Sequence, residues 1–497
     1  MMTFPLRAVL PALIGATLSG CVSMAPNYER PAAPVATQWP EQAAAPATAV
    51  SGASAGDIPW QAVFADPQLR QVVQMALDNN RDLRVAVLNI DRARAQYRIQ
   101  RADLLPEVGA GVSGNNGRTP ASISPTGTAT TSHTYRADLN VAWELDLFGR
   151  VRSLSDQALQ QYFATEAAQR ATRIGLITET ATAYLTLASD TEQLALARET
   201  LRSRQEAYDL QLALRDTGNA SDLALRQAES ELEAARDQML LLDGSVATDR
   251  NALELLVGAP LPEDLRPQAP LESMLAVQDL PAGLPSDLLQ RRPDILAAEH
   301  QLMGANANIG AARAAFFPSI SLTAGVGRAS DSLSSLFDGG NRTWSFLPQI
   351  SVPIFSGGRL RANLAVSEID RDIAVADYER SIQTAFREVA DALAIRNRID
   401  GRLTAQERRV AAARDAYALV QQRYDNGVSR YLDVLDAQRT LYTAQETWIS
   451  TRLTRQINLV SLYKALGGDF AQNAPASDVA AGPRIHATQG DQLAARP

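Results

Sequence analysis

Cysteine and histidine are scarce in this sequence: one cysteine and three histidines occur in 497 residues. A single cysteine excludes an intramolecular disulfide framework and any cysteine metal cluster. The histidines, His133, His300 and His486, lack the spacing that would assemble a zinc site. A glycine-rich phosphate loop and a nucleophile elbow are also lacking. We therefore expect neither an enzyme nor a bound metal or cofactor.

Basic charge is in short supply as well. Lysine and arginine together number 47 against 55 acidic residues, which gives a net charge of −8. Proteins that bind nucleic acid usually carry a basic excess that neutralises phosphates. Nucleic acid is therefore not an expected partner.

The N-terminus lacks an apolar run long enough to span a membrane. The stretch from Ala8 to Leu18 covers about a dozen residues, against roughly 20 for a spanning helix. It follows Arg7 and is typical of a signal peptide over residues 1–20. The residues Leu-Ser-Gly-Cys that end at Cys21 resemble the bacterial lipobox. We expect Cys21 to carry a covalent lipid, the alternative being an ordinary secretory peptide followed by a buried cysteine.

Segments outside the central region show little periodicity. Residues 21–59 are rich in alanine and proline, which predicts an extended tether, and the tail at 469–497 is similar. Val22 stands where bacterial lipoproteins retained at the inner membrane carry aspartate. We therefore expect the anchored chain to be sorted to the outer membrane.

The central region contains an internal repeat, because residues 60–258 recur as residues 284–468 after a linker at 259–283. Each half reads as helix, strand, strand, long helix and return helix. The predicted strands lie near 105–114, 134–147, 317–328 and 343–355, and the predicted helical hairpins at 151–257 and 359–466.

The strand segments alternate strictly between apolar and polar residues. From Tyr135 to Leu145 one face is apolar and the other is mostly polar, which is typical of a transmembrane strand with lipid on one side and water on the other. A half-buried soluble sheet would alternate equally well. Four strands cannot close a barrel, because bacterial barrels start at about eight, and lipid does not tolerate an open edge. Three copies would leave room for an aqueous duct, so we expect a homotrimer.

The two long helices each reach about 95 Å at a rise of 1.5 Å per residue. Ile382, Phe386, Val389 and Leu393 step by four, three and four residues, the spacing of a coiled-coil seam. Both helical connections of each strand pair leave from the same side of the sheet. The helices are therefore expected to project together into the periplasm.

Three motifs fall in a fixed order along this framework: WELDLFGR at 143–150, RRPD at 291–294 and YLDVLDAQR at 431–439. Together with the anchor and the repeat, they resemble the TolC-like outer-membrane efflux proteins, in particular the lipid-anchored NodT-type subgroup. The resemblance implies an α+β membrane protein. Its trimeric twelve-stranded barrel would sit in outer-membrane lipid and continue as a periplasmic α-helical barrel of coiled-coil hairpins. A closed tip would open when a periplasmic adaptor and an inner-membrane pump, of RND type, engage.

Acidic residues mark the turn of the second hairpin. Asp433 and Asp436 lie three apart on one face of the return helix, where a trimer would stack them as two carboxylate rings. Arg439, three residues beyond Asp436, can pair with it. By resemblance, Leu432 and the two aspartates constrict the channel, and Tyr424 belongs to the same gate. Acidic residues at a helix start also complement its dipole, which is the simpler explanation.

The repeat supplies a control for that explanation. Aligning the halves without gaps puts Ala224 and Gln227 opposite Asp433 and Asp436. A task specific to the second hairpin is therefore favoured. Three other classes remain open: the outer-membrane channel of a type I secretion system, a stand-alone porin, and a structural lipoprotein that links the membrane to the cell wall. The exported substrate is not encoded in any pattern that we recognise.

Overall fold

The computed structural model describes residues 23–40, 58–277, 280 and 285–469. The signal peptide, Cys21, part of the linker and the tail beyond residue 469 fall outside these ranges. Within the described ranges, no helix combines the length and the apolar character needed to cross a lipid bilayer.

The described elements follow the predicted order twice. The first half contains α1 (Trp60–Val63), α2 (Pro67–Asn79), α3 (Arg81–Ala102), β1 (Glu107–Thr119), β2 (Thr130–Leu145), α4 (Arg150–Asp216) and α5 (Asp222–Val257). The second contains α6 (Pro285–Arg291), α7 (Pro293–Ala314), β3 (Ser319–Ser330), β4 (Arg342–Ser351), α8 (Arg359–Asp425) and α9 (Tyr431–Ala465).

The strands form one antiparallel sheet in the order β1-β2-β3-β4. Its register aligns the four apolar faces, since Val108 pairs with Val141, Val141 with Ala324, and Ala324 with Phe346. The pairing of β2 with β3 joins the two repeats. Gly327 is required at that junction, because a Cβ there would lie 2.5 Å from the carbonyl oxygen of Ala137.

The strand ends differ from those expected. The β1-β2 ladder continues to the pair Thr119 and Thr130, beyond the predicted limits of 114 and 134. Polar residues extend the backbone ladder there, whereas alternation marks only the part with an apolar face. At the end of the sheet near the helices, β4 stops at Ser351, whereas the predicted strand continues to residue 355. Pro353 follows and cannot donate a ladder hydrogen bond.

The outer strands of the sheet are exposed. All ten residues of β4 are solvent-accessible in the single chain, including Trp344, which is 81% exposed. Strands β1 and β4 each have one neighbour only, so the described sheet has two free edges. A sheet of this kind requires further strands from other copies before it can lie in lipid.

The long helices α4 and α8 contain 67 residues each and therefore extend about 100 Å. Each begins after a glycine in the left-handed region, Gly149 with φ 75° and Gly358 with φ 86°. The return helices α5 and α9 have 36 and 35 residues, about half that length. Helices α3 and α7 pack against the halves of α4 and α8 nearer to the sheet.

The WELDLFGR motif builds the joint between β2 and α4. The Asp146 carboxylate accepts hydrogen bonds from the backbone N–H groups of Val151 and Arg152, at 3.1 and 2.8 Å. It thus satisfies two of the donors that a helix start leaves open. Glu144 forms a bidentate pair with Arg150, at 2.9 and 2.7 Å.

The main apolar core lies where the middle of α4 and α8 meets the ends of α5 and α9. Arg292 of the RRPD motif is buried beside it. Its guanidinium donates to Asp294, to Glu388 of α8 at 2.6 Å and to the carbonyl of Ala465, the last residue of α9, at 3.2 Å. Arg292 therefore ties together the start of α7, the middle of α8 and the end of α9.

The N-terminal segment, residues 23–40, is docked as a strap along α7. The Met24 carbonyl accepts from Arg313 at 3.4 Å, and the Pro26 carbonyl accepts from Asn306 at 2.7 Å. The strap therefore runs antiparallel to α7, away from the sheet.

Two side-chain contacts secure the strap further along. Arg30 forms a bidentate pair with Glu299 at 2.7 and 2.8 Å, and Tyr28 donates to the same carboxylate at 3.0 Å. Glu299 is 3% exposed, so the strap supplies the counter-charge of a buried acid. Trp39 is buried and stacks on Phe386 of α8, with ring centroids 4.9 Å apart.

Candidate functional site

The turns of the two hairpins share one backbone design. Gly218 and Gly427 have φ of 77° and 72°, the left-handed conformation expected at a helix C-terminus. In both turns the residue after the glycine hydrogen-bonds back to the last turn of the helix. The backbone N–H of Asn219 donates to the carbonyl of Leu214, and that of Val428 donates to the carbonyl of Arg423, each at 2.8 Å. The difference between the hairpins therefore lies in their side chains.

Asp433 caps the return helix α9. Its carboxylate accepts a hydrogen bond from the backbone N–H of Arg430 at 3.0 Å. In the first hairpin Ser221 serves the start of α5, where its hydroxyl accepts from the N–H of Ala224 at 3.2 Å. Asp433 therefore does stabilise the start of its helix, as the simpler explanation for its acidity predicts.

Asp436 and Arg439 form the predicted pair, with 3.4 Å between the guanidinium and the carboxylate. The pair is exposed on both sides. Arg439 has a second partner, because its Nε lies 3.0 Å from Oε1 of Glu231 on α5. The hydrogen bond to Glu231 raises the pKa of Arg439. Arg439 therefore connects the second hairpin to the first.

Arg204 of α4 is the buried centre of this cluster, with 5% of its surface exposed. It lies 3.8 Å from Glu231 and contacts the side-chain oxygen of Gln438 on α9. Burial lowers the pKa of Arg204, and the Glu231 carboxylate opposes that shift. Glu231 thus serves two guanidiniums from two hairpins.

Tyr424 takes part in a second link between the hairpins. Its hydroxyl accepts a hydrogen bond from Gln211 of α4 at 2.7 Å, and its ring lies 5.7 Å from that of Tyr431. Gln211 is almost fully buried. Leu432 is 40% exposed. The structure thus brings Tyr424, Asp436 and Arg439 to one region and leaves Leu432 at its surface.

Arg204, Gln211 and Glu231 were missed by sequence reasoning. They come from the first repeat, where the alignment without gaps puts them opposite Ala413, Val420 and Thr440. That mismatch was a usable signal, because the aligned residues of the second repeat are uncharged. No pattern in the sequence specifies that the partners of Arg204 lie on α5 and α9.

Apolar packing in the lower hairpins is confined within each hairpin. Leu194, Ala197 and Leu242 form a buried cluster between α4 and α5. Val410, Ala413 and Ala444 form another between α8 and α9. The contacts described above between the hairpins are polar. This arrangement permits one hairpin to move against the other without breaking either apolar cluster.

The fold and the tip together define a class: an outer-membrane channel with a long helical extension. The model of the outer membrane efflux protein family matches residues 72–259 and again 284–468. The chain belongs to this family. The two matches coincide with the repeat, and the predicted fold class is confirmed, including the four strands per chain that a twelve-stranded barrel of three copies needs.

Relatives of known role extend over nearly the whole chain. The toluene efflux pump outer membrane protein TtgC of Pseudomonas putida is 48% identical over 465 residues, covering 93% of this chain and 96% of the relative. The outer membrane protein OprJ of Pseudomonas aeruginosa is 46% identical, covering 94% and 96%. This chain is therefore the outer-membrane component of an efflux pump and resides in the outer membrane.

Solved structures agree with that assignment. The open-state MtrE outer membrane channel of Neisseria gonorrhoeae superposes with a TM-score of 0.82 at 42% identity, covering 90% of this chain and 99% of the other. A membrane protein of Pseudomonas aeruginosa gives 0.83 at 46% identity, covering 90% and 100%. The stand-alone porin and the structural linker are thereby set aside.

We predict that Glu231→Gln loosens the tip. The change leaves buried Arg204 without a counter-charge and weakens Arg439, at a cost of about 1–3 kcal/mol. Amide hydrogen exchange at residues 425–436 should accelerate relative to the native protein. Glu229→Gln is the matched control, because Glu229 lies on the same helix and pairs with Arg226 of that helix at the surface. Equal exchange in both variants would show that Glu231 does not hold the hairpins together.

Proposed function

We propose that three copies of this chain form a continuous exit duct that receives substrate from a periplasmic adaptor and an inner-membrane pump of the RND type. The observation that carries the proposal is the four-stranded sheet with two free edges, placed at one end of helices about 100 Å long. Three such sheets give twelve strands, which close every edge and leave an aqueous lumen. The helices then reach across the periplasm.

The substrate is proposed from the relatives. Similar proteins are named as components of toluene, solvent and antibiotic efflux pumps. Small aromatic solvents and antibiotics are accordingly the substrate class that we propose for the pump served by this chain. A wide aqueous duct exerts little selection, so the choice among them belongs to the pump.

The assembly has a direct test. Cross-linking in cells, with a photoreactive residue in place of Val428 at the tip turn, should capture a periplasmic adaptor. Val428 is 66% exposed, so the substitution leaves the packing intact. The same residue in place of Ile123, which is 73% exposed in the loop between β1 and β2, is the control and should capture none. Capture of the adaptor at neither position would contradict the tripartite assembly.

The tip cluster is proposed as the gate of this duct. In a trimer, Leu432 and the exposed Asp436 carboxylates surround the axis, together with Asp433, which keeps its helix-capping contact. The Glu231-Arg439 and Gln211-Tyr424 contacts hold the second hairpin against the first. These links are polar, and neither apolar cluster spans both hairpins, so an adaptor that binds the separated hairpins better can open the tip.

Two pairs of substitutions separate charge from constriction. Asp433→Asn with Asp436→Asn removes the charge while an amide oxygen can still cap α9, so cation preference in planar bilayers should fall. Asp433→Ala with Asp436→Ala also removes side-chain bulk and the cap, so single-channel conductance should rise. Asp222→Asn, in the first turn of α5, is the control and should change neither. Unaltered selectivity and conductance in both double variants would remove the aspartates from the gate.

The lipid anchor at Cys21 is proposed as a further part of this function, as in the NodT-type subgroup. Met24 contacts Arg313, and β3 begins at Ser319 shortly beyond it. Cys21 is three residues before Met24 and can lie at most about 10 Å from it. A lipid there would meet the membrane surface from which the helices emerge, which supports attachment on the periplasmic side.

Mass spectrometry of the mature N-terminus tests the anchor. We expect the first residue to be Cys21 with added acyl chains, and we expect Cys21→Ala to abolish this mass increment. An unmodified Cys21 thiol in protein from the outer membrane would remove the anchor from the proposal and leave the barrel untouched.

A further inference from the structure

A cavity of about 400 Å³ lies between the hairpins, on the side of the tip cluster away from the turns. Ligand sites commonly enclose about 300–1,000 Å³. Its walls come from α4, α5 and α9, and so from both hairpins. Beyond the tip cluster itself, the residues that matter here are Ala197, Ala234, Ala235, Gln238, Tyr442 and Glu446.

The two ends of the cavity differ in charge. At the end nearer the turns, Arg204 and Arg439 share Glu231 as described above. Glu446 stands seven residues further along α9, about 10 Å away along the helix. Among the described residues it forms no ion pair, and the hydroxyl of Tyr442 lies beside it. Burial raises the pKa of the Glu446 carboxyl, and the Tyr442 hydroxyl opposes that shift.

Tyr442 presents a buried hydroxyl to the same end. Its hydroxyl lies beside Glu446 and Gln238 but has no well-aligned hydrogen-bond partner among the described residues, although the oxygen is buried. A buried polar atom without a partner costs free energy. A bound group that supplies both positive charge and hydrogen-bond donors would satisfy Glu446 and Tyr442 together.

We propose that this cavity binds a small organic monocation, with its ammonium group on Glu446 and its apolar part between the Tyr442 ring and the alanine methyl groups. An ammonium group provides the missing charge and donors, and an aromatic face also attracts cations. A neutral molecule of the same shape would leave the carboxylate uncompensated. An anion would be repelled by it.

Binding at this place also bears on the gate, and that part rests on the proposed function. The ligand touches α5 on one hairpin and α9 on the other, so its contacts are complete only while the hairpins are packed together. A ligand that prefers one conformation stabilises it in proportion to that preference. An organic cation in the cavity should therefore favour the closed tip.

Calorimetric titration of the full-length assembled protein with benzylammonium tests the site, with benzyl alcohol as the neutral probe of the same shape. We expect benzylammonium to bind and benzyl alcohol to bind at least about tenfold more weakly. Glu446→Gln should lower the affinity for benzylammonium about tenfold or more. Glu233→Gln, on an exposed position of α5 paired with Arg236, is the control and should bind as the native protein does.

Absence of benzylammonium binding to the native protein would overturn the site, as would equal affinities of the native protein and Glu446→Gln. If Glu446→Gln does not assemble, Tyr442→Leu replaces it: this variant keeps the carboxylate, removes the ring and hydroxyl, and should still bind several-fold more weakly. Unchanged affinity in that variant would overturn the site too.

Single-channel recording separates the site from the gate. Benzylammonium should reduce opening of the native channel but not of Glu446→Gln. If benzylammonium still blocks the Glu446→Gln channel, the blocking cation lies elsewhere, such as at the Asp436 ring, and the proposed coupling between cavity and gate is contradicted. If benzylammonium binds the native protein without any effect on channel opening, only that coupling is contradicted. Neither result alters the test of the exit duct itself, which is adaptor capture at the tip.

Discussion

The need to pair every backbone N–H and C=O group in lipid governs this molecule. The four strands of the described residues leave two edges open, and an open edge is not tolerated in the hydrocarbon region. The sheet can therefore exist in the membrane only as part of a closed ring of several copies. That ring sets a common axis, and both helical connections of each strand pair leave it on one side. The long helices of all copies must then run parallel to that axis.

Below the sheet, the packing changes from apolar to polar with distance. The main core is placed where the middle of each long helix meets the ends of the return helices, and Arg292 reinforces it through α7, α8 and α9. Nearer the turns, apolar clusters remain inside each hairpin. Polar contacts centred on Glu231 connect the hairpins there. The upper part is thus suited to be rigid, and the tip is suited to separate.

The two turns share one backbone conformation, so the functional difference between the hairpins lies in their side chains. Both turns use a left-handed glycine and the same closing hydrogen bonds. Ser221 caps the first return helix, and Asp433 caps the second with a charged group. A helix-capping role and a role in the duct are compatible for Asp433, because capping fixes the carboxylate at the end of the hairpin. Among the residues that the structure describes, Asp436 makes no capping contact, and it remains exposed beside Arg439.

Local periodicity was enough to predict the repeat, the strand faces, the long helices and the glycine turns, because each depends on residues close together in the chain. The apolar faces of β1 to β4 align as alternation predicted. The outer strand ends were not predictable, since polar residues continue a ladder without leaving a pattern. The docking of the strap on Glu299 and the partners of Arg439 were not predictable either. Arg439 and Glu231 stand 208 residues apart, and only the packing of one repeat against the other brings them together. The sequence alone therefore determined the kind of duct, and the tertiary structure decided which contacts join the two hairpins at its tip.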